Sequence, residues 1–132
     1  YTSATGLAFN GEVEGYVFDY RPTAVTIVTF AGEQAVNLVT LNWETALELD
    51  MVGYNIYRSD SLGGPKMKLN NSPIPAQLGW FGSIYTFDDF GVESGKTYYY
   101  WLEIVNLEGT EFYPEPVVIT VWRYLYVPIV IR

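Results

Sequence analysis

Carboxylates are the side chains in this sequence best suited to a conventional reactive site. The 132 residues include no histidine and no cysteine. This removes the usual general base, the Ser-His-Asp triad, thiolate metal sites and any disulfide framework. A glycosidase needs two carboxylates that face each other across a cleft, but the acids here fall mostly in segments with the composition of turns. With no nucleophile elbow, phosphate loop or dinucleotide fingerprint, we predict a non-catalytic protein without a cofactor.

Calcium is the one metal that these acids could bind. Two acidic pairs, Glu48 with Asp50 and Asp88 with Asp89, could supply oxygen ligands. Neither pair has the regular spacing of a calcium-binding loop. Solvated acids in turns are therefore the preferred interpretation, and we predict no metal ligand.

Aromatic rings are the other side chains with binding chemistry. Trp80 and Phe81 lie between glycines and could stack on a polysaccharide, or the same loop could fold over an open end of the domain. Tyr99 and Trp101 alternate with residues expected to face a core. Two neighbouring large rings on a solvent face favour a covering partner. That partner could be a sugar, a second subunit or the chain's own terminal segments.

Short runs of strand-forming residues are expected to position these side chains. The sequence is 49% hydrophobic and 17% aromatic, which favours a packed, β-rich domain. In the second run Val39, Leu41 and Trp43 share one face, and in the third Tyr54 and Ile56 point inward. Seven such runs indicate an all-β, seven-stranded immunoglobulin-like sandwich. The predicted strands cover residues 24–30, 36–44, 51–59, 67–69, 83–88, 97–106 and 115–122.

Three motifs in this region resemble a fibronectin type III domain of bacterial surface proteins. Residues 39–43 (VTLNW) resemble the tryptophan strand of that family, and residues 53–59 (GYNIYRS) resemble its third strand. The most specific match is 92–104 (VESGKTYYYWLEI), similar to the family pattern Leu-x-Pro-Gly-Thr-x-Tyr-x-aromatic-x-Val. The resemblance implies a fibronectin type III-like sandwich over residues 22–122.

The same resemblance assigns roles to one strand. It implies that Tyr98 is a corner tyrosine whose hydroxyl bonds back to the backbone, and that Tyr100, Leu102 and Ile104 enter the core.

The first 21 residues are expected to form a separate extension. Residues 10–16 (NGEVEGY) resemble the closing strand of a secreted bacterial domain family named after a Gly-Glu-Val-Glu-Asp motif, although Gly15 stands where that family has Asp. Asn10-Gly11 is also a hairpin signal. We therefore expect an N-terminal strand or hairpin over 1–21, contributed by the end of an upstream domain.

The last ten residues, 123–132, are expected to form an apolar C-terminal strand. They resemble short apolar tails of some bacterial surface proteins. Residues 124–131 (YLYVPIVI) are too few for a membrane helix. Free in water, such a segment is an aggregation hazard. It should add to a sheet edge of its own domain or of a neighbour, the second case being β-augmentation.

Together these features predict an extracellular structural or adhesive module of the bacterial cell surface. It could polymerise with copies of itself, or bind neighbouring surface proteins, by exchange of terminal strands. The alternative is a carbohydrate-binding or spacer module of a larger secreted enzyme. The net charge of −8 disfavours nucleic acid and anionic membranes as partners. The candidate assembly residues are Val13, Val17, Phe18, Tyr99, Trp101, Tyr124, Leu125, Tyr126, Val127, Ile129, Val130 and Ile131.

Overall fold

The computed structural model describes residues 25–78 and 81–122, which form strands and no helix. This part of the chain accordingly has no helix long and apolar enough to cross a membrane. The expected extension over 1–21 and the expected tail strand over 123–132 lie outside the described residues. The strands are β1 (Val25–Ala35), β2 (Leu38–Glu48), β3 (Met51–Ser59), β4 (Met67–Lys68), β5 (Ile74–Pro75), β6 (Ser83–Asp89), β7 (Thr97–Asn106), β8 (Gly109–Phe112) and β9 (Val117–Thr120).

The smaller sheet has the order β1–β2–β6, and both of its pairings are antiparallel. β1 is longer than predicted because it continues to Ala35, which pairs with Leu38 across a two-residue turn. β2 begins two residues later than predicted but extends to Glu48, which pairs with Val25. Asn37 adopts a positive φ of 65° there, a conformation that asparagine tolerates better than most residues. Residues 31–35, expected between two strands, are thus the second half of β1. The turn was misplaced because Val36-Asn37 lacks the glycine or proline of a recognisable hairpin turn.

The larger sheet is built around β3 and β7, which pair with each other along most of their length. Each of its two edges consists of two short strands. β4 and β5 pair with opposite halves of β3, and β8 and β9 pair with opposite halves of β7. The nine strands therefore occupy seven positions in two antiparallel sheets, which confirms the predicted all-β sandwich. β5 and β8 were not predicted.

The core lies between the two sheets and follows the two-residue period of the strands. Alternate side chains of a strand point to opposite faces of the sheet, and β7 is accordingly buried at every second position. The five residues predicted to point inward, and the three predicted to share one face of the second strand, are all buried. The buried apolar residues are Val39, Leu41, Trp43, Met51, Tyr54, Ile56, Tyr85, Tyr98, Tyr100, Leu102, Ile104 and Val121.

The expected corner tyrosine, Tyr98, lies at the start of β7 and contacts the turn that leads into this strand. The backbone N–H of Glu93 donates to the Tyr98 hydroxyl oxygen at 2.9 Å. Gly95 in the same turn has a φ of 88°, and its N–H donates to the carbonyl of Val121 at 2.6 Å. The side chain and the turn thus tie the start of β7 to both neighbouring segments, as the resemblance implies.

Candidate functional site

The outward face of the larger sheet carries the two aromatic residues singled out from the sequence. Tyr99 and Trp101 are half-buried, whereas their neighbours Tyr98 and Tyr100 are buried. Trp101 lies opposite Tyr57 in the β3–β7 pairing. The prediction that Tyr99 and Trp101 face away from the core is confirmed.

Lys66 covers the Trp101 ring. Its Nζ lies 4.4 Å from the centroid of Trp101 and 5.6 Å from that of Phe112, within the range of cation–π attraction. The Trp101 Nε1–H donates to Ser59 Oγ at 3.2 Å. One ring face and the polar edge of Trp101 are therefore engaged by its own chain. Lys66 could not be predicted from the sequence, because it lies 35 residues from Trp101 in a loop without a distinguishing motif.

Glu103 organises the polar half of this outward face. Its Oε1 accepts hydrogen bonds from Asn55 Nδ2 at 2.8 Å and from the Tyr57 hydroxyl at 3.2 Å. Partial burial, together with the charge and hydrogen bond of Glu103, raises the pKa of Tyr57. The Tyr57 ring also packs edge-on against Phe112, at 5.2 Å between centroids. This face is an ordered network of rings and polar groups.

Glu48 is a buried acid enclosed by donors. It is 3% exposed, and its carboxylate accepts from the hydroxyls of Tyr54 and Tyr85 at 2.5 Å each. Ser83 Oγ and the Leu78 N–H donate to its other oxygen at 3.1 and 2.9 Å. Burial and the contact with Glu48 raise the pKa of Tyr85 to about 12 and that of Tyr54 in the same direction. Glu48 therefore links β2 to β3 and β6.

Asp89 forms a second buried cluster at the other end of β2, opposite Val39. It is 6% exposed and receives hydrogen bonds from Arg58 Nη1 and the Tyr100 hydroxyl, both at 2.7 Å. The N–H of Gly91 donates to its remaining oxygen at 2.9 Å. Burial works to lower the pKa of Arg58, but the hydrogen bond and charge of Asp89 raise it above its ordinary value. Through Arg58 and Tyr100, Asp89 therefore joins β6 of one sheet to β3 and β7 of the other.

The acidic pairs considered for calcium are not arranged as metal sites. Asp89 is buried, whereas Asp88 is exposed and accepts from the Thr40 hydroxyl at 2.8 Å. Glu48 is buried and Asp50 is exposed. Within residues 25–78 and 81–122, no group of three or more acidic side chains could hold a metal ion.

The loop between β5 and β6 contains the aromatic pair proposed to stack on sugar. Trp80 lies outside the described residues. Phe81 is fully exposed, so its ring does not close the end of the sandwich. Gly82 has a φ of 98°, and a Cβ there would lie 2.2 Å from the Thr45 carbonyl oxygen. The glycine after Phe81 is thus required by the close approach of the loop to β2.

The remaining candidate assembly residues lie outside the described part of the chain. They are Val13, Val17, Phe18, Tyr124, Leu125, Tyr126, Val127, Ile129, Val130 and Ile131. Of the proposed interface, the structure therefore describes only Tyr99 and Trp101, and the role of the terminal segments stays a prediction.

Comparisons with known proteins are sparse. No family model matches the chain, and no curated protein matches it. Solved structures that match include a Fn3-like protein from Clostridium thermocellum, with 20% sequence identity and a TM-score of 0.47. That match covers 77% of this chain and 92% of the other. The fold is assigned from the strand order and the core described above: two antiparallel sheets that enclose one apolar layer.

Proposed function

We propose that this chain is a non-catalytic, fibronectin type III-like structural module of the bacterial cell surface, which joins copies of itself by exchange of terminal strands. The observation that carries the proposal is a sandwich that already encloses a core, in a chain whose sequence has a further apolar segment of β-favouring residues. Both sheets contribute to that core from residues 25–122. Residues 124–131 add seven more apolar residues around Pro128.

The buried acids support a structural role. Glu48 and Asp89 each accept at least three hydrogen bonds from groups of their own chain. A catalytic carboxylate has to reach the substrate or a water molecule beside it. Carboxylates enclosed by internal donors instead hold the two sheets together, which is the property a load-transmitting module needs.

The composition of the tail supports assembly. An apolar segment of β-favouring residues is stable in water only when its backbone and side chains find partners. Pairing with a sheet edge of the next copy satisfies both and repeats from copy to copy, because the donor and acceptor surfaces differ. The net charge of −8 would keep the assembled copies from associating further.

The test is the mass of the full chain in solution. Light scattering and electron microscopy should show polymers of the unaltered chain. Deletion of residues 123–132, or the substitution Val127→Asp, should give monomers, because a charge in the donated strand opposes its burial. Phe81→Ala serves as the control and should assemble normally. The proposal would be contradicted if the full chain stayed monomeric at every concentration at which the variant without residues 123–132 is monomeric.

Polysaccharide binding is the second candidate, and the exposure of Phe81 favours it. A fully exposed ring next to Trp80 in sequence is suited to stacking on a sugar face. Affinity electrophoresis in gels that contain soluble polysaccharides should then show retardation that is lost in Trp80→Ala and Phe81→Ala. Trp101→Ala is the comparison, since Lys66 already lies over that ring. Equal mobility of all the variants with and without polysaccharide would exclude this function.

A further inference from the structure

We propose that the outer edge of β6 is the acceptor for residues 124–131 of a second copy. This inference rests on the proposed function, because it names the edge at which the exchanged strand pairs. It follows from a comparison of the four sheet edges. An edge strand can accept another chain only where a straight run of backbone donors and acceptors is available.

The two edges of the larger sheet are interrupted. β4 and β5 are two residues each, and the Asn70 side chain occupies the gap between them by accepting from the Ile56 N–H at 2.8 Å. β8 and β9 are four residues each and are separated by a segment that contains Pro114 and Pro116. Short strands and prolines are features that blunt an edge.

β1 is longer than these edge strands, but its pairing is irregular and other residues of the chain pack against it. Its register with β2 shifts on both sides of Ile27, and such bulges disturb the hydrogen-bonding pattern of an edge. β9 packs against the inner face of β1: a Cβ on Gly32 would lie 3.0 Å from Val117. The Trp122 N–H also donates to Gln34 Oε1 at 2.8 Å. Residues 117–122 of the chain itself therefore pack against the second half of β1, next to this edge.

Among the residues that the structure describes, β6 is the remaining edge strand, and it is regular. Its seven residues, SIYTFDD, contain no proline, glycine or lysine and pair with β2 without a register shift. Ile84, and Phe90 directly after the end of β6, are each 69% exposed. Gln77, in the loop before β6, donates its Nε2–H to the Ile84 carbonyl at 3.1 Å. That carbonyl therefore points away from β2, and by strand alternation so do the backbone groups of Thr86 and Asp88.

Residues 123–131 of a second copy match this edge in length, in the alternation of their backbone groups and in charge. Pro128 has no N–H to donate, so its backbone has to face away from β6. Alternate residues of a strand direct their backbone groups to the same side, so the backbone groups of Val127 and Ile129 would bond to β6. An antiparallel register with Val127 opposite Thr86 meets this requirement and sets Ile129 beside Ile84. It also brings Arg123 within diagonal reach of Asp88, which is exposed. The side-chain contact from Gln77 is one that an incoming backbone N–H can replace.

The absence of cysteine from the chain allows a direct test by cross-linking. We would prepare the full chain with the pair Thr86→Cys and Val127→Cys, and a matched control with Glu33→Cys and Val127→Cys. Thr86 and Glu33 are both exposed strand residues, on β6 and β1 respectively. After treatment with a short bifunctional maleimide, denaturing gels should show a ladder of covalent oligomers for the β6 pair and mainly single chains for the β1 pair.

The outcomes separate the two proposals. Polymers seen by light scattering without a ladder from the β6 pair, or with an equal ladder from the β1 pair, would overturn the assignment of the edge and leave strand exchange standing. A cross-link within one chain would overturn the second copy as the occupant. Monomers throughout, with no cross-link, would overturn the proposed function and this inference with it.

Discussion

At the scale of single residues, the two buried carboxylates connect the sheets. Glu48 and Asp89 both belong to the smaller sheet, and both receive hydroxyl hydrogen bonds from tyrosines of the larger sheet, Tyr54 and Tyr100 respectively. A buried charge is tolerated only when its hydrogen-bonding capacity is filled. The stability of the sandwich should therefore depend on the acidic oxygen atoms and not only on the size of these side chains.

The first prediction concerns Glu48→Gln. The amide group has one acceptor oxygen and one donor nitrogen, so at least one of the hydroxyl or N–H donors around it would face another donor. We expect the free energy of unfolding to fall by about 1–3 kcal/mol, the usual cost of an unsatisfied buried polar group. Urea unfolding followed by tryptophan fluorescence measures this change.

Glu44→Gln is the matched control for that variant. Glu44 lies on the same strand as Glu48 but is exposed. Its substitution should change the free energy of unfolding by less than about 0.5 kcal/mol. Equal effects of the two variants would contradict the structural role assigned to Glu48.

The second prediction concerns alkaline pH. Burial and the Glu48 contact raise the pKa of Tyr85 to about 12 from an ordinary value of 10.0, and the pKa values of Tyr54 and Tyr100 are raised as well. Tyrosine is charged when it loses its proton, so above pH 10 the unfolded chain ionises first and unfolding is favoured. Stability should be level below about pH 10 and decline steadily as the pH approaches 12.

Urea titrations at several pH values, with tyrosinate absorbance recorded in parallel, test this expectation. Tyrosinate from the buried residues should appear together with unfolding. A free energy of unfolding that stays constant from pH 9 to about 12 would contradict it.

At the scale of elements, each edge of the larger sheet is divided into two short strands, which leaves no long edge on the described part of this sheet for another chain to pair with. The division beside β3 is held by Asn70, whose Nδ2 donates to Asn55 Oδ1 at 2.7 Å and to the Ser72 carbonyl at 2.8 Å. Its Oδ1 accepts a hydrogen bond from the Ile56 N–H, and the Leu69 N–H donates to the Ile56 carbonyl at 2.8 Å. The Asn70 side chain thus takes the place of a strand residue opposite Ile56, and with the Leu69 N–H it satisfies both backbone groups of Ile56.

The third prediction is that Asn70→Ala destabilises this edge. It leaves the Ile56 N–H without its acceptor, so we expect a loss of about 1–3 kcal/mol in the free energy of unfolding. Hydrogen exchange should also quicken at the Ile56 amide. Asn71→Ala is the control, because Asn71 is exposed, and it should alter neither quantity. Unchanged exchange at Ile56 in the Asn70 variant would argue against the proposed role.

At the scale of the whole molecule, the two acidic clusters lie at opposite ends of the sandwich. Asp89 pairs with Val39 at the start of β2, and Glu48 is the last residue of that strand. Nine residues of extended chain span about 30 Å. The aromatic core, where Trp43 stacks on Tyr85 at 5.2 Å between centroids, fills the space between them. The sheets are therefore joined by polar contacts at both ends and by apolar packing in the middle.

The fourth prediction is that Glu48→Gln and Asp89→Asn act independently. Residues this far apart that share no partner usually show additive effects within about 0.3–0.5 kcal/mol. Urea unfolding of the double variant should therefore match the sum of the single variants. By contrast, Arg58→Met and Asp89→Asn should be strongly non-additive, because each removes one partner of the same buried ion pair. Additivity of that second pair would show that the Arg58–Asp89 contact contributes nothing.

The sequence by itself determined the strands and the faces they bury. Strand periodicity is local, so the inward positions of Trp43 and Tyr100 and the outward position of Trp101 could be predicted from alternation and three motifs. Strand ends were less predictable, because the turn at Asn37 depends on a backbone conformation that no glycine signals. The divided edges also escaped prediction, since pairing of such short strands depends on the neighbour and not on local propensity.

Only the tertiary structure decided what the polar and aromatic side chains do. Glu48 looks like a turn acid in the sequence, yet it is buried because residues up to 37 positions away converge on it. Lys66 covers Trp101 for the same reason: the contact joins distant segments that only sheet packing brings together. A side chain that its residue type suggests is reactive or exposed can therefore have a structural role in the folded protein. The buried and exposed faces of a strand are predictable, because the alternation of residues along the chain determines them.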